Sequence, residues 1–470
     1  MTTFHIEQFG CRATQADGAA IERQLREQGC AAASGAASAD VVVLNTCTVT
    51  AAADAQARDA IRKIHAANPR ARIIVTGCYA QRVPEEVAAL PGVTFVVGNS
   101  HKPQIPSIVG RLQFISPNAS SSEFVPLSLL QPQSKAPEEM PAQILCGDVF
   151  ELSEVLVAPV LGGEGNHTRP TLKIQDGCDS RCSFCVIPYV RGRSRSLPPG
   201  TVVAELQRLA DSGFHEIVLS GINLGSYGRD LSPRVEFLDL LRRILDETSV
   251  ERLRISSIEP LDVTQDLIEL LASSDRIAPH FHMPLQSASD RILAAMHRWY
   301  RAEHYARRVE LIHERLPHAA IGADVITGFP GETDADHSAT VRFIEERPFT
   351  YLHVFSYSLR PGTKAAILPG QLSGHVIKRR ARELRALGEA KSAAFRRTQI
   401  GCTLRVLTLR RDSGDDPCLT SALSENYLTV RLPLCLPPNQ FVTVSATDTD
   451  GKNLYASPLE TPMMAAMGAT

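Results

Sequence analysis

Short apolar runs rich in β-branched residues alternate with helical patterns twice along this chain, and that alternation leaves few architectures open. In the first series the runs are Thr3–Phe9, Asp40–Asn45, Arg72–Thr76 and Val93–Val97, with helical stretches such as Ala16–Gln28 and Ala51–Ala67 between them. Strand alternating with helix predicts a small parallel α/β domain over residues 1–112. The second series has strand candidates at Leu172–Ile174, Glu216–Leu219, Arg252–Ser256, His280–Met283, Gly322–Ile326 and Tyr351–Val354. Helical patterns separate them at Thr201–Ser212, Val235–Leu245, Thr264–Ala272, Ser289–His297, Arg301–Arg315 and Asp334–Glu346. Units of this kind build a partial or full (β/α) barrel over 169–395, with its site at the carboxyl ends of the strands.

Two further regions complete the α/β reading. Residues 113–168 dissolve into Ser, Pro and Gln with GGEG at Gly162–Gly165, which is linker composition, although Leu152–Leu161 holds a candidate strand. After a basic helical stretch, Lys378–Arg397, come the short runs Leu404–Leu409, Tyr427–Arg431, Phe441–Ala446 and Asn453–Ala456. They predict a small β-barrel over 396–460, a size of roughly 60 residues that folds alone only marginally.

No apolar run approaches the length of a membrane span, and Met1–Gly10 lacks the basic and apolar regions of a secretion signal. A cytoplasmic protein without membrane contact is expected, and there the 11 cysteines stay reduced and serve as ligands, catalytic groups or core. Formal net charge is only −2, so any surface for nucleic acid must be local.

Cysteines are where the sequence is most specific. Cys178, Cys182 and Cys185 stand at C-x3-C-x2-C spacing directly after the first barrel strand. Zinc normally takes four protein ligands, and the next Cys or His is His215. Three thiolates suit a cubane iron–sulfur cluster with one iron left open. The competing reading is a zinc knuckle completed by a distant histidine, in an RNA-binding protein that is no enzyme.

This stretch resembles the cluster motif of the radical S-adenosylmethionine (SAM) enzymes. The resemblance implies that the open iron binds the amino and carboxylate groups of SAM, and that an electron from the cluster cleaves the sulfonium to a 5′-deoxyadenosyl radical. Phe184 occupies the position of an aromatic beside the cofactor's adenine, and it could equally be a core residue.

A second trio is spread along the chain. Cys11, Cys47 and Cys78 each close an apolar run, in FHIEQFGC, VVVLNTC and IIVTGC. In a parallel sheet those ends share one edge, where open α/β sheets place their ligands. Three thiols would converge there as a second cluster; buried small residues are the alternative. Cys30, Cys146, Cys402, Cys418 and Cys435 show no such pattern.

Taken together, the three regions resemble the radical SAM methylthiotransferases over nearly the whole chain apart from the linker. The resemblance implies two 4Fe-4S clusters and SAM as cofactors, with sulfur inserted into an unactivated C–H bond and then methylated. It also implies an electron donor such as a flavodoxin or ferredoxin, a sulfur donor, and tRNA as partner, since the terminal module is similar to the RNA-binding TRAM domain. Among the family's branches, RGRSRS with Arg191, Arg193 and Arg195, SSIEP at Ser256–Pro260 and VFSYSLRPGTKAA at Val354–Ala366 resemble the one acting on threonylcarbamoyladenosine of tRNA. The other branches act on isopentenyl-adenosine or on an aspartate of a ribosomal protein. A guanidinium could grip the threonylcarbamoyl carboxylate in a bidentate way, or the three arginines could hold tRNA phosphates.

Further positions follow from resemblance at strand ends. LSGINLGSYG, with Gly221 and Asn223, HMPLQSASD, with Gln286, and GADVITGFPGET, with Asp324, resemble SAM-contacting segments; turn glycines and helix caps are the alternative. No acid–base dyad is called for, because the cofactor carries the chemistry. The basic stretch before the terminal barrel, Lys378 to Arg397, offers a local surface for tRNA or a merely solvated helix face.

Overall fold

The computed structural model describes residues 2–113, 141–156, 159–160, 168–411 and 419–459. They form two units, one of Met1–Ala158 with Val186–Arg193, the other of Pro159–Cys185 with Ser194–Thr470.

The first unit is built on a six-stranded sheet of β1 (Thr3–Gln8), β2 (Ala31–Ala32), β3 (Val41–Thr46), β4 (Arg72–Gly77), β5 (Val93–Val97) and β6 (Gln143–Leu145). The strands run parallel in the order β2-β1-β3-β4-β5-β6. Side chains alternate across it, as strand geometry demands. Val42, Leu44, Ile73 and Val75 pack with Ala57, Ile61 and Ile64 of helix Ala51–Ala67. Val41, Val43 and Ile74 pack on the other face with Ile21 and Leu25 of helix Arg12–Glu27 and with Ile105, Ile108 and Val109. Both faces are covered, so β3 is buried at every position. Strand β6 comes from the stretch whose composition reads as linker; it joins the sheet edge through Phe95, Val96 and Val97. The GGEG segment and Cys418 lie outside the described residues.

In the second unit β7 (Pro159–Val160) runs antiparallel to β8 (Thr171–Lys173), and β9 (Gln175–Asp176) pairs with β10 (Arg195–Ser196). Parallel pairs then link β8 to β11 (Glu216–Ser220) and β11 to β12 (Arg252–Ile255). A second parallel set is β13 (His280–Gln286), β14 (Ala320–Thr327) and β15 (Tyr351–Ser356). Bridges Leu253–Ile277 and Ser257–His282 join the two sets. The result is a partial barrel of six parallel strands, β8-β11-β12-β13-β14-β15, since among the described residues β15 does not pair back to β8.

The chain ends in a closed five-stranded barrel, β16-β17-β18-β20-β19, of β16 (Thr403–Thr408), β17 (Thr420–Ser424), β18 (Thr429–Leu432), β19 (Phe441–Thr449) and β20 (Leu454–Pro458). Leu404, Val406, Val430, Leu432, Val444 and Leu454 fill its interior. Strand β17, TSALS, escapes the sequence pattern because it has neither alternation nor β-branched apolar residues, although it is buried throughout.

Helix Gly374–Thr398 precedes this barrel, and most of its charge is bound within the unit. Arg380 bonds Glu332 and Asp334, Arg385 the Val354 carbonyl, Lys391 the Glu345 and Arg347 carbonyls, and Arg396 the Gly451 carbonyl. Lys378, Arg379, Arg382, Arg385 and Arg397 stay exposed, Arg379 beside Asp334, so the basic face that the sequence offers is reduced to these.

A buried ionic knot fastens the terminal barrel to the partial barrel. Glu216, fully buried, accepts from Arg252 Nε at 2.6 Å, Arg254 Nε at 2.8 Å and Arg169 Nη1 at 3.2 Å. The two buried arginines donate onward to the carbonyls of Arg405, Leu423, Ser424 and Glu425. Burial alone would raise the pKa of Glu216, but Arg254, Arg252 and Arg169 overcome it and hold the carboxyl well below its usual range. Glu216→Gln leaves two buried guanidinium groups without counter-charge, so we expect a loss of about 3–5 kcal/mol. Urea unfolding measures it, with earlier proteolytic release of residues 396–460; a loss under about 1 kcal/mol would mean that the onward carbonyl contacts suffice.

Candidate active site

The barrel cysteines lie on the loop between β9 and helix Ile187–Arg191. The base of this loop is tied down: buried Lys173 bonds Asp176 at 2.8 Å, and Asp176 Oδ1 accepts from Gly177 N. Gln175 Nε2 donates to the carbonyls of Asp176 and Gly177. Gly177 takes φ +73°, which a side chain would resist. Further along, Ser183 donates from N and Oγ to the Met296 and Ala295 carbonyls, and its own carbonyl accepts from Ala365 N. Cys185 N closes a turn onto the Cys182 carbonyl. All three cysteines are half-buried, and burial pushes the Cys178 thiol up against hydrogen bonds from Ser180. Phe184 packs against a cluster of Ile292, Met296, Phe329 and Ala365.

Groups able to receive a ligand surround this loop. Asn223 follows β11 and Gln286 ends β13, where it holds φ +60°. Asn223 Oδ1 and Gln286 Oε1 are both buried without a hydrogen-bond partner. Other amide oxygens of the chain share this state, among them Asn45 Oδ1 and Asn99 Oδ1. Asn223 and Gln286, however, stand at the carboxyl ends of barrel strands, where they fit a ligand that brings its own donors, as SAM does. Gly221 instead makes room for a neighbour, since a Cβ there would lie 2.9 Å from Gln175 Oε1, the acceptor for Asn223 N. Asp324, in mid β14, is hydrogen-bonded to His282 at 2.9 Å and lies 3.3 Å from His353. Burial would raise its pKa, yet both histidines hold it well below the carboxylate range. Tyr351, across Gly322, reaches His282 and His280 at 2.9 and 2.7 Å; a Cβ on Gly322 would sit 2.0 Å from its ring.

In the first unit the second trio sits at a topological switch. The chain leaves β1 for β2 on one side and returns to β3 on the other, which opens a crevice at the carboxyl ends of β1 and β3. Thr46 pairs with Gly77, so Cys47 and Cys78 stand one residue beyond a matched pair, and Cys11 follows neighbouring β1. Burial, then the nearness of Cys78 and Cys11, push the Cys47 thiol up to about 12. Gly10 lies so close that a Cβ would meet Cys47 Cβ at 2.4 Å and Sγ at 3.0 Å. Asn99 Nδ2 donates to Cys78 Sγ at 3.6 Å. Thiol donors gathered in a cradle fit a thiophilic iron centre.

Of the arginines after the barrel loop, Arg191 is 2% exposed and bonded to Asp17 at 3.0 Å. Lys102 shares the same carboxylate oxygen at 2.7 Å, so two buried cations face one anion beside Cys47 and Cys78. Arg195 is also buried, and Arg193 is presented to solvent.

Comparison with known proteins agrees with this geometry. Residues 3–98 match the uncharacterized protein family UPF0004, and residues 172–344 match the radical SAM superfamily. A threonylcarbamoyladenosine tRNA methylthiotransferase MtaB of Aquifex aeolicus is 36% identical over 91% of this chain and 95% of its own length. The chain belongs to the radical SAM methylthiotransferases. A tRNA-2-methylthio-N(6)-dimethylallyladenosine synthase of Paenarthrobacter aurescens is 33% identical over 97% of this chain and 85% of its own. In fold the chain is similar to the radical SAM methyltransferase TsrM of Kitasatospora setae, with a TM-score of 0.54 and 16% identity over 78% of this chain and 75% of that one.

As a radical SAM methylthiotransferase the chain is an enzyme whose cofactors are SAM and two 4Fe-4S clusters, and the structural-zinc alternative falls. Three positions carried no role in the sequence: Arg298, which donates to Cys182 Sγ at 3.3 Å, Glu259, which pairs with it, and His353, beside Asp324. Glu259 lies in SSIEP and His353 adjoins VFSYSLRPGTKAA, whereas Arg298 lies in neither segment, and nothing in the spacing linked any of them to the cysteines. For the first unit we expect Gly10→Ala, at φ +112° and against Cys47, to lower iron per chain by about half, one of two cubanes. Iron analysis of anaerobically reconstituted protein checks this, and undiminished iron would mean that Cys47 ligates nothing or can move aside.

Proposed function

We propose that this enzyme converts N6-threonylcarbamoyladenosine, beside the anticodon of tRNA, to its 2-methylthio derivative. Two separate cysteine trios, one at the carboxyl ends of β1, β3 and β4 and one on the loop after β9, support the methylthiotransferase chemistry. The observation that carries the choice of substrate is the likeness to threonylcarbamoyladenosine tRNA methylthiotransferases over most of the chain. Cys178, Cys182 and Cys185 would hold the cluster with the open iron, and Cys11, Cys47 and Cys78 the second cluster. Bound there, the clusters and SAM supply the radical, the sulfur and the methyl group. The protein's own part is to orient and to shield. Asn223 and Gln286 offer buried acceptors to SAM, and Phe184 with its apolar neighbours walls the loop. Asp324 stays ionised between its histidines as an acceptor for donors on the ligand. Arg193, exposed and with a planar guanidinium, suits the threonylcarbamoyl carboxylate or a tRNA phosphate. Arg191, buried on Asp17, and Arg195, buried in β10, suit structural roles instead. An electron donor such as a flavodoxin or ferredoxin, a sulfur donor and a cytoplasmic setting complete the reading; no helix among the described residues is long and apolar enough to cross a membrane.

Replacing Cys11, Cys47 and Cys78 together by Ala tests the division of labour. SAM should still be cleaved to 5′-deoxyadenosine while methylthiolated tRNA disappears. Product at the wild-type yield would refute the second cluster. Nucleoside mass spectrometry of tRNA from a deletion strain tests the substrate: unmodified threonylcarbamoyladenosine should accumulate, whereas loss of the isopentenyl-derived product would move the enzyme to that branch.

A further inference from the structure

Arg298 touches the barrel loop directly. Its Nη1 donates to Cys182 Sγ at 3.3 Å, while Nη2 bonds the Glu259 carboxylate beyond β12. The guanidinium is held from a third side by Tyr300, with Arg298 Cζ 4.9 Å from the ring centre. Tyr300 is itself pinned, its hydroxyl donating toward the Pro284 and Leu285 carbonyls at 2.6 and 2.9 Å. The turn that carries Arg298 is also fastened to the cysteine loop: Met296 O accepts from Ser183 N, and His297 Nδ1 lies 3.2 Å from the Arg181 carbonyl. His297 takes φ +57° in doing so, a conformation held only by surrounding contacts.

The charges are unequal in placement. Arg298 donates to Cys182 Sγ itself, whereas Glu259 bonds the other nitrogen of the guanidinium, so the cation is the nearer charge to the sulfur. Arginine cannot shed its charge. Hydrogen bonds to ligand sulfurs and local net charge are among the factors that set the reduction potential of an iron–sulfur cluster. A donor and a fixed positive charge at a ligand sulfur favour the reduced cluster, which carries one more electron.

We propose that Arg298 is a positioning residue that raises the reduction potential of the barrel cluster through Cys182, with Glu259 as the counter-charge that limits the effect. This rests on the reading that Cys182 is a cluster ligand. It predicts shifts of opposite sign: Arg298→Gln lowers the potential, and Glu259→Gln raises it. Arg298→Lys keeps the charge but loses the fork, and falls between Arg298→Gln and the parent.

The test is an EPR-monitored redox titration of the full chain, reconstituted anaerobically without SAM, in the background lacking Cys11, Cys47 and Cys78 so that one cluster is observed. At the parent's midpoint, the ratio of reduced to oxidised cluster should fall about tenfold in Arg298→Gln, ~59 mV for a one-electron couple. It should rise by a smaller factor in Glu259→Gln. Unchanged potentials, or shifts of one sign in both variants, at full iron content would overturn the proposal and leave Arg298 as loop packing. Where Arg298→Gln fails to retain iron, Glu259→Gln decides alone: a rise supports the proposal and no change overturns it. A parent that binds no iron would instead overturn the assignment of Cys178, Cys182 and Cys185, and this proposal with it.

Discussion

Parallel strands end on a common edge, and every chemical feature of this protein depends on that constraint. Parallel neighbours need helical crossovers, and the crossovers return the chain so that each strand points the same way. In the first unit this gathers Cys11, Cys47 and Cys78 from positions far apart in sequence. In the second it brings the cysteine loop, Asn223 after β11, Glu259 after β12 and Gln286 at the end of β13 to one rim. The helices and apolar faces that surround the sheets make the edges rigid. Loops anchored on such edges can keep thiols and acceptors in place before any cofactor arrives.

Charge in this molecule works mostly inward. With a net charge of only −2, the chain still buries Arg191, Arg252, Arg254, Arg380, Lys102 and Lys173, each beside a carboxylate. Buried ion pairs contribute little net stability, since desolvation offsets attraction, but losing one partner is costly. Their value here is geometric. Glu216 with its arginines fixes how the terminal barrel joins the partial barrel, and Asp17 orders two cations beside the first cysteine trio. The basic helix Gly374–Thr398 belongs in part to the same pattern. In a run of Lys and Arg that reads as a nucleic-acid surface, Arg380 and Lys391 are drawn inward to Glu332, Asp334 and backbone carbonyls, while five cations stay exposed.

Much of this was legible in the chain itself. Strand and helix periods, and cysteines at run ends or at C-x3-C-x2-C spacing, are local properties, so the sequence by itself determined the α/β order, the terminal β-barrel and both trios. It did not reveal β6 or β17, because an edge strand of a few residues and the small-residue stretch TSALS carry no period of their own; pairing with neighbours creates them. Gly221 and Phe184 were legible as positions, but only packing showed Gly221 making room for Gln175 and Phe184 walling the loop. The three arginines of RGRSRS look alike in sequence, and tertiary burial alone separates exposed Arg193 from Arg191 on Asp17. Arg298 and Glu259 stand 39 residues apart, with Cys182 remote from both. Their meeting depends on the return of successive parallel strands to one rim, and tertiary structure alone decided it.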